Sequence, residues 1–366
     1  MRHTRILKAI DPLVGRLGML LPRPKGKTDF VPQKVLFIRP GGIGDAVLLI
    51  PAIRALCACY PQMAVEVLAE QRNAGVFSLC PEVRLVCCYD IPSELFAILR
   101  SRYDVIFDTE QWHRLSSVMA RIIRASVRIG FSTNDRSRFF SNQVSYGQDD
   151  YEADSFMHML SPLVHVPESE EYGSFLSISV RDSEAAAAFL SVLGGGVLVT
   201  LFPGASITER RWGPEKFCEL TRRLQGTCEV VVVGGAVDRD DAESIEQAGA
   251  LNLAGKTTLA ETAAIIARSS LLVSGDSGIL HIAVGLGIPT VSLFGPGRAR
   301  KWAPRGANHI VINRNLPCSP CTTFGYTPKC PINARCMAEI SVDEVEQAVM
   351  TLLARKNFGK RNKSLD

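Results

Sequence analysis

The chain has 366 residues, 46% hydrophobic and 21% charged, which suits two folded domains with substantial cores and excludes a disordered chain. A net charge of +4 is too small an excess to point to nucleic acid. No apolar run reaches the roughly 20 residues that a membrane span needs. Residues 1–30 read as a basic amphipathic helix. Ile6, Leu7, Ile10, Leu13, Val14, Leu17, Leu20 and Leu21 recur at steps of three and four, with Arg5, Lys8 and Arg16 among them and Arg23, Lys25 and Lys27 following. Two readings stand for this segment: a helix packed on its own domain or on a partner subunit, and an in-plane anchor at an anionic bilayer surface. The apolar residues are periodic rather than continuous, so no cleavable signal peptide is expected.

Beyond that segment, β-rich runs alternate with helical patterns. Residues 34–38 (KVLFI) read as a buried strand, followed by a glycine turn and a helix over 45–59. Further strands are predicted over 65–69, 85–88 and 105–108, a polar and basic loop over 132–143, and a helix over 154–164. The second half restarts the theme with a strand over 197–202, a helix over 214–224, and strands over 229–233, 271–274 and 290–294. A helix over 342–355 closes the fold, and the charged tail from Lys356 is expected to fray. The alternation implies parallel sheets covered on both faces, with ligands at the carboxyl ends of the strands where strand order reverses. The expected domains are 31–175 and 176–340, followed by the terminal segment 341–366, with the linker between Pro167 and Ser191. The gap between the two domains is the default site.

Four motifs carry candidate chemistry. In Arg39-Pro40-Gly41-Gly42-Ile43-Gly44-Asp45, the three glycines Gly41, Gly42 and Gly44 let a ligand approach the backbone, and no Lys-Ser/Thr follows to make a P-loop. Asp45 reads either as the N-cap of the next helix, which residue type alone favours, or as a general base. In the stretch from Phe202 to Pro214, Ser206, Thr208, Arg210 and Arg211 read either as a diphosphate cradle, with Trp212 wedging the loop, or as a solvated turn with basic decoration. In Ser274-Gly275-Asp276-Ser277-Gly278-Ile279-Leu280-His281, a helix start offers N–H groups to phosphate, with His281 one turn in; Asp276 either holds a donor hydroxyl or sets backbone geometry.

Cysteine is used in two ways. Of 11 cysteines, seven (Cys57, Cys59, Cys80, Cys87, Cys88, Cys218 and Cys228) sit in apolar or helical stretches and read as reduced, buried thiols of a cytosolic protein. The other four, Cys318, Cys321, Cys330 and Cys336, fall in a loop over 316–337. Their spacing fits either a closed structural zinc or iron site or a set of reduced thiols under a Pro-rich loop.

The stretches 34–53, 202–214 and 275–295 resemble, in this order, the opening motif and the two donor-domain motifs of glycosyltransferase family 9, the ADP-heptose:lipopolysaccharide heptosyltransferases. The resemblance runs from about residue 34 to residue 350. It implies a GT-B fold, two Rossmann-like α/β domains facing across a cleft, and inverting transfer of heptose from ADP-heptose to a lipid-linked core saccharide. By the same resemblance Asp45 is the general base, Asp276, Ser277, Gly278 and His281 bind the donor, and Ser206 and Thr208 lie beside the phosphates. Many family members carry cysteines in the corresponding loop, and one branch holds iron there. Two departures stand out. Arg210 occupies a place where the family often has Lys. Gly235-Ala236 is followed by Val237 and Asp238 rather than by the Glu that serves the donor ribose, so either Asp238 takes that role or ribose recognition differs. No carboxylate pair is arranged for Mg²⁺, so transfer is expected to need no metal. A cytoplasmic enzyme, peripheral on the inner membrane, fits this reading. The rivals are a GT-B transferase or epimerase using another nucleotide sugar, and a non-catalytic membrane-associated assembly factor.

Overall fold

The computed structural model describes residues 22–26, 28–165, 167 and 171–362, together with Asp11 and Gly15, and side chains as far as Arg355. Two units divide the chain, Met1–Ser169 and Glu170–Asp366. In the first, β1 (Lys34–Ile38), β2 (Ala64–Ala69), β3 (Val83–Cys88), β4 (Arg102–Asp108), β5 (Arg124–Phe131) and β6 (Asn142–Val144) form one sheet in the order β3-β2-β1-β4-β5-β6. Every pairing is parallel, and Val35 lies between Val65 and Val105. Strands covered on both faces need apolar residues at nearly every position, which is why KVLFI reads as a continuous run. Leu36, Ile38, Ile98, Ile106 and Ile123 pack in one core cluster, each contributing about 1.5–3 kcal/mol by leaving water. The helices that follow strands in this unit include α1 (Ile43–Cys59), α2 (Pro92–Arg100), α3 (Leu115–Ile122) and α4 (Glu152–His158).

The second unit repeats the plan. Strands β7 (Leu198–Phe202), β8 (Glu229–Val232), β9 (Leu251–Asn252), β10 (Leu271–Gly275), β11 (Thr290–Phe294) and β12 (His309–Asn313) lie in the order β12-β11-β10-β7-β8-β9, again all parallel. Its helices include α5 (Val180–Leu190), α6 (Pro214–Leu224), α7 (Arg239–Gln247), α8 (Leu259–Ala267), α9 (Gly278–Gly285) and α10 (Val342–Asn362). Val199, Leu201, Phe217, Leu220, Val273 and Leu352 share its core. Renumbered within each unit, both sheets run 3-2-1-4-5-6, the Rossmann order. Chain direction across the sheet reverses between β1 and β4 and again between β7 and β10.

The sequence reading needs correction in places. Strand β5 was not anticipated, and β6 begins inside the expected loop over 132–143. Helix α10 runs on through Asn362 rather than ending at Arg355. Among the cysteines expected to be buried, Cys59 is exposed, and all 11 thiols are free. The basic helix expected over residues 1–30 lies largely outside the described residues. Asp11, however, is buried, and its carboxylate caps α3 by accepting from the Arg114 and Leu115 N–H groups at 2.7 and 2.8 Å. No helix among the described residues is long and apolar enough to cross a membrane.

Candidate functional site

In the first unit the chain leaves β1 through Arg39, whose side chain is 1% exposed. A buried guanidinium is tolerated only when its donors are used. Nη1 donates to the Thr109 carbonyl at 2.9 Å and Nε to the Pro40 carbonyl at 2.7 Å. Nη2 lies 3.7 Å from Glu110 Oε2 and 3.9 Å from Asp45 Oδ2. Gly41 turns the backbone with φ of 103°, in the left-handed region that favours glycine. Gly42 is then the N-cap of α1, with no side chain bonded to the helix start. Asp45 is therefore not the cap, which corrects the reading that residue type favoured. It is the third residue of the helix, its side chain about a quarter exposed and held on one side by Arg39.

A network of buried charge lies beside this carboxylate. Asp108 and Arg136, both fully buried, pair at 2.6 Å. Burial pushes the Asp108 pKa up, with Arg136 opposing. At Glu110 burial also pushes up, but Arg39, His113 and Arg136 outweigh it and the carboxyl sits below its usual range. Tyr146 donates to Glu152 Oε2 at 2.9 Å, and its pKa is raised by burial and by the negative charges of Glu152 and Asp45. The sequence reading passed over Arg39, Glu110, Arg136 and Tyr146. The available signal for two of them was position, because Arg39 directly follows β1 and Glu110 lies two residues past β4, the two strands that flank the reversal.

In the second unit Ser206 and Thr208 follow β7 with exposed side chains. A short 3₁₀ turn, Thr208–Arg210, then brings Arg210 Nη1 to 2.9 Å from Asp276 Oδ2, just beyond the end of β10. The approach needs Gly275, because a Cβ there would stand 2.9 Å from the Arg210 carbonyl oxygen. His281, 2% exposed, belongs to the same group. Burial pushes its pKa down to about 4, with Asp276 opposing and Arg210 adding to the fall. The ring is thus neutral at physiological pH, and its Nδ1 has no hydrogen-bond partner among the described residues. Ser277 caps α9: its Oγ accepts from the Leu280 N–H at 3.3 Å and bonds Ser274 Oγ at 2.8 Å. Gly278 opens that helix. The structure so brings Arg210, Asp276, Ser277, Gly278 and His281 together at the reversal between β7 and β10.

Two expected donor-site residues have partners of their own. Arg211 Nη1 lies 3.0 Å from Asp241, and its Nη2 donates to the Ala205 carbonyl at 3.3 Å. Asp238 is 5% exposed; its Oδ2 accepts from the Gly235 N–H at 2.9 Å, and its Oδ1 lies 3.5 Å from Arg211. Together these residues brace the loop after β7 against the turn after β8. Trp212 does wedge that loop: its ring is buried edge-on to Phe217, and Nε1 donates to the Ile340 carbonyl at 3.0 Å.

The four cysteines of the 316–337 loop lie near enough to affect one another. At Cys336 burial and then Cys321, Cys330 and Cys318 raise the thiol pKa. Cys318 is exposed and Cys336 buried, and Cys330 Sγ accepts from the Ala334 N–H at 3.3 Å. Among the described residues no group of three or more His, Cys, Asp or Glu side chains is placed to hold a metal ion. As arranged, the four thiols do not fit a metal.

The chain is similar to known proteins in both sequence and fold. Residues 94–329 match the model of glycosyltransferase family 9 (heptosyltransferase). The chain is 24% identical, over 75% of its length and 82% of the relative's, to the lipopolysaccharide core heptosyltransferase OpsX of Haemophilus influenzae. The solved Escherichia coli ADP-heptose lipopolysaccharide heptosyltransferase II superposes with a TM-score of 0.73 at 22% identity, covering 89% of this chain and all of that one. The E. coli heptosyltransferase WaaC, solved with ADP-2-deoxy-2-fluoro heptose, gives a TM-score of 0.66 at 16% identity, covering 87% and 99%.

Proposed function

This chain belongs to glycosyltransferase family 9, the heptosyltransferases, and we infer that it is an inverting enzyme moving heptose from ADP-heptose to a lipid-linked lipopolysaccharide core saccharide. The observation that carries the reading is the group at the second reversal: Arg210 against Asp276, beside a buried neutral His281 and the start of α9. Such a group suits a leaving diphosphate, since guanidinium and helix N–H donors stabilise the charge that grows on it. Arg210, Ser206, Thr208 and the Gly278 helix start grip the diphosphate, and Asp276 sets the geometry of Arg210 with His281 beside the pair. Asp45 accepts the proton of the acceptor hydroxyl as that oxygen attacks the anomeric carbon. The bond from that carbon to the diphosphate oxygen breaks on the opposite face, and ADP leaves with the electron pair. Asp238 accepts from the Gly235 N–H in its own loop, and either its second oxygen serves the donor ribose or other groups do, which makes the nucleotide the point to test.

Transfer is assigned to these side chains without a metal or cofactor, and no step runs through the cysteine loop. We place the enzyme in the cytoplasm, with residues 1–30 meeting the inner-membrane surface where the acceptor lies. Deleting residues 1–28 is expected to move the protein from the membrane fraction to the soluble one; unchanged fractionation removes that contact. The function itself is tested by donor screening with a core acceptor. Release of ADP from ADP-heptose with a heptosylated product is expected. UDP release from a UDP-sugar overturns the donor assignment. No thermal stabilisation by ADP and no transfer from any donor point to a non-catalytic relative.

A further inference from the structure

We propose that the turn from Glu110 to Arg114 is a saccharide platform, with the indole of Trp112 as the face on which a sugar ring of the acceptor stacks. This rests on the heptosyl-transfer reading, whose acceptor is a saccharide. Trp112 is 40% exposed. Single exposed apolar side chains are common on protein surfaces and mean nothing by themselves. Here, however, the exposed ring stands on a backbone held from three sides.

From within the turn, Glu110 Oε1 accepts from the N–H groups of Gln111, Trp112 and His113 at 3.1, 3.0 and 3.3 Å. From the loop after β5, Asn134 Nδ2 donates to the Trp112 carbonyl at 2.9 Å, and Thr133 Oγ1 donates to the Gln111 carbonyl. From the N-terminal segment, Asp11 accepts from the Arg114 and Leu115 N–H groups. Gly15 packs there so closely that a Cβ would collide with the Arg114 side chain. An aromatic ring with two side-chain torsions on a fixed backbone loses little entropy when it binds, which is how rigid recognition surfaces use tryptophan.

The position of the turn fits the role. It leaves β4, one of the two strands flanking the first reversal, where ligands of open parallel sheets bind. It is also wired to the reacting carboxylate. Glu110 Oε2 and Asp45 Oδ2 share one guanidinium, that of Arg39, at 3.7 and 3.9 Å. A sugar ring has an apolar C–H face and a hydroxyl edge, which matches an exposed indole on a turn that also carries His113 and Arg114.

The test uses the full chain and a de-acylated core oligosaccharide. Trp112→Ala removes a ring but leaves every backbone bond of the turn in place, so the chain should still fold, as circular dichroism checks. The acceptor KM and Kd should rise roughly tenfold, with ADP affinity unchanged and kcat at saturating acceptor nearly so. Trp112→Phe should restore much of the loss. Saccharide titration should change wild-type tryptophan fluorescence, and Trp112→Phe should lose that change, since Trp212 is buried and Trp302 is half-buried in the second unit. A folded Trp112→Ala chain with unchanged acceptor KM overturns the platform, as does a loss confined to ADP affinity. Saccharide binding through Trp112 without any transfer keeps the platform and removes the transferase reading. A wild-type chain that binds no saccharide removes both.

Discussion

The two units share one strand order and place different chemistry at the same point of it. At the first reversal a glycine turn leads to a partly exposed carboxylate, Asp45, steadied by the buried Arg39. At the second, a hydroxyl-bearing loop leads to Arg210, paired with the buried Asp276 beside a neutral His281. The shared order fixes where a ligand can lie, and the loops decide what is done there. On the proposed mechanism one unit takes a proton and the other holds negative charge. The assignment can therefore be broken by showing that a change in one unit does the other's work.

The largest effect is expected at Asp45. Asp45→Asn should lower kcat by about 10²–10⁴-fold, the usual worth of a general base, as read from ADP release under saturating substrates. Next is Arg210→Ala, which should weaken ADP binding roughly 10- to 100-fold by calorimetry, because a charge-assisted contact is lost and Asp276 is left buried without its partner. Its neighbour sharpens the comparison: Arg211→Ala should cost melting temperature more than ADP affinity, since Arg211 braces Asp238 and Asp241.

Acid should distinguish the units as well. The folded pKa of His281 lies at about 4, below its ordinary value of 6.5. Between those values the unfolded chain binds a proton that the folded one does not. The stability His281 contributes is thus complete above pH 6.5 and is lost as pH falls toward 4, by up to roughly 1.4 kcal/mol per pH unit. His309, half-buried and also lowered to about 4 by burial, adds to the same slope in the same unit. Urea unfolding from pH 7 to pH 4.5 should show this loss, and His281→Gln should flatten it. A smaller effect is expected at Gly41→Ala, about 1 kcal/mol or somewhat more from forcing a Cβ into a left-handed conformation, measured by the same unfolding. The smallest expected effect is none: EDTA should leave the transfer rate unchanged.

Much of this architecture is legible in the sequence, and its failures have physical causes. Strand β1 and helix α6 lie where periodicity puts them, because continuous apolar runs and amphipathic spacing report burial directly. Strand β5 is hidden by charge. Arg128 sits inside it, and its guanidinium caps the end of α3 by donating to the carbonyls of Ala120 and Ile123, and donates to Ala125 within the strand. At Asp45 residue type alone points to a cap. The choice depends on where the helix begins, and with Gly42 as its cap the carboxylate moves inside the first turn. Arg210 and Arg211 are indistinguishable by composition, yet one turns toward Asp276 and the other toward Asp241. Only the path of the 3₁₀ turn separates them.

Division of labour between the two units is tested most directly by titrating ADP into the Asp45→Asn chain by calorimetry, with turnover measured on the same preparation. The account expects ADP affinity within about twofold of wild type while transfer collapses. An Asp45→Asn chain that no longer binds ADP, or one that folds, binds and turns over normally, contradicts it.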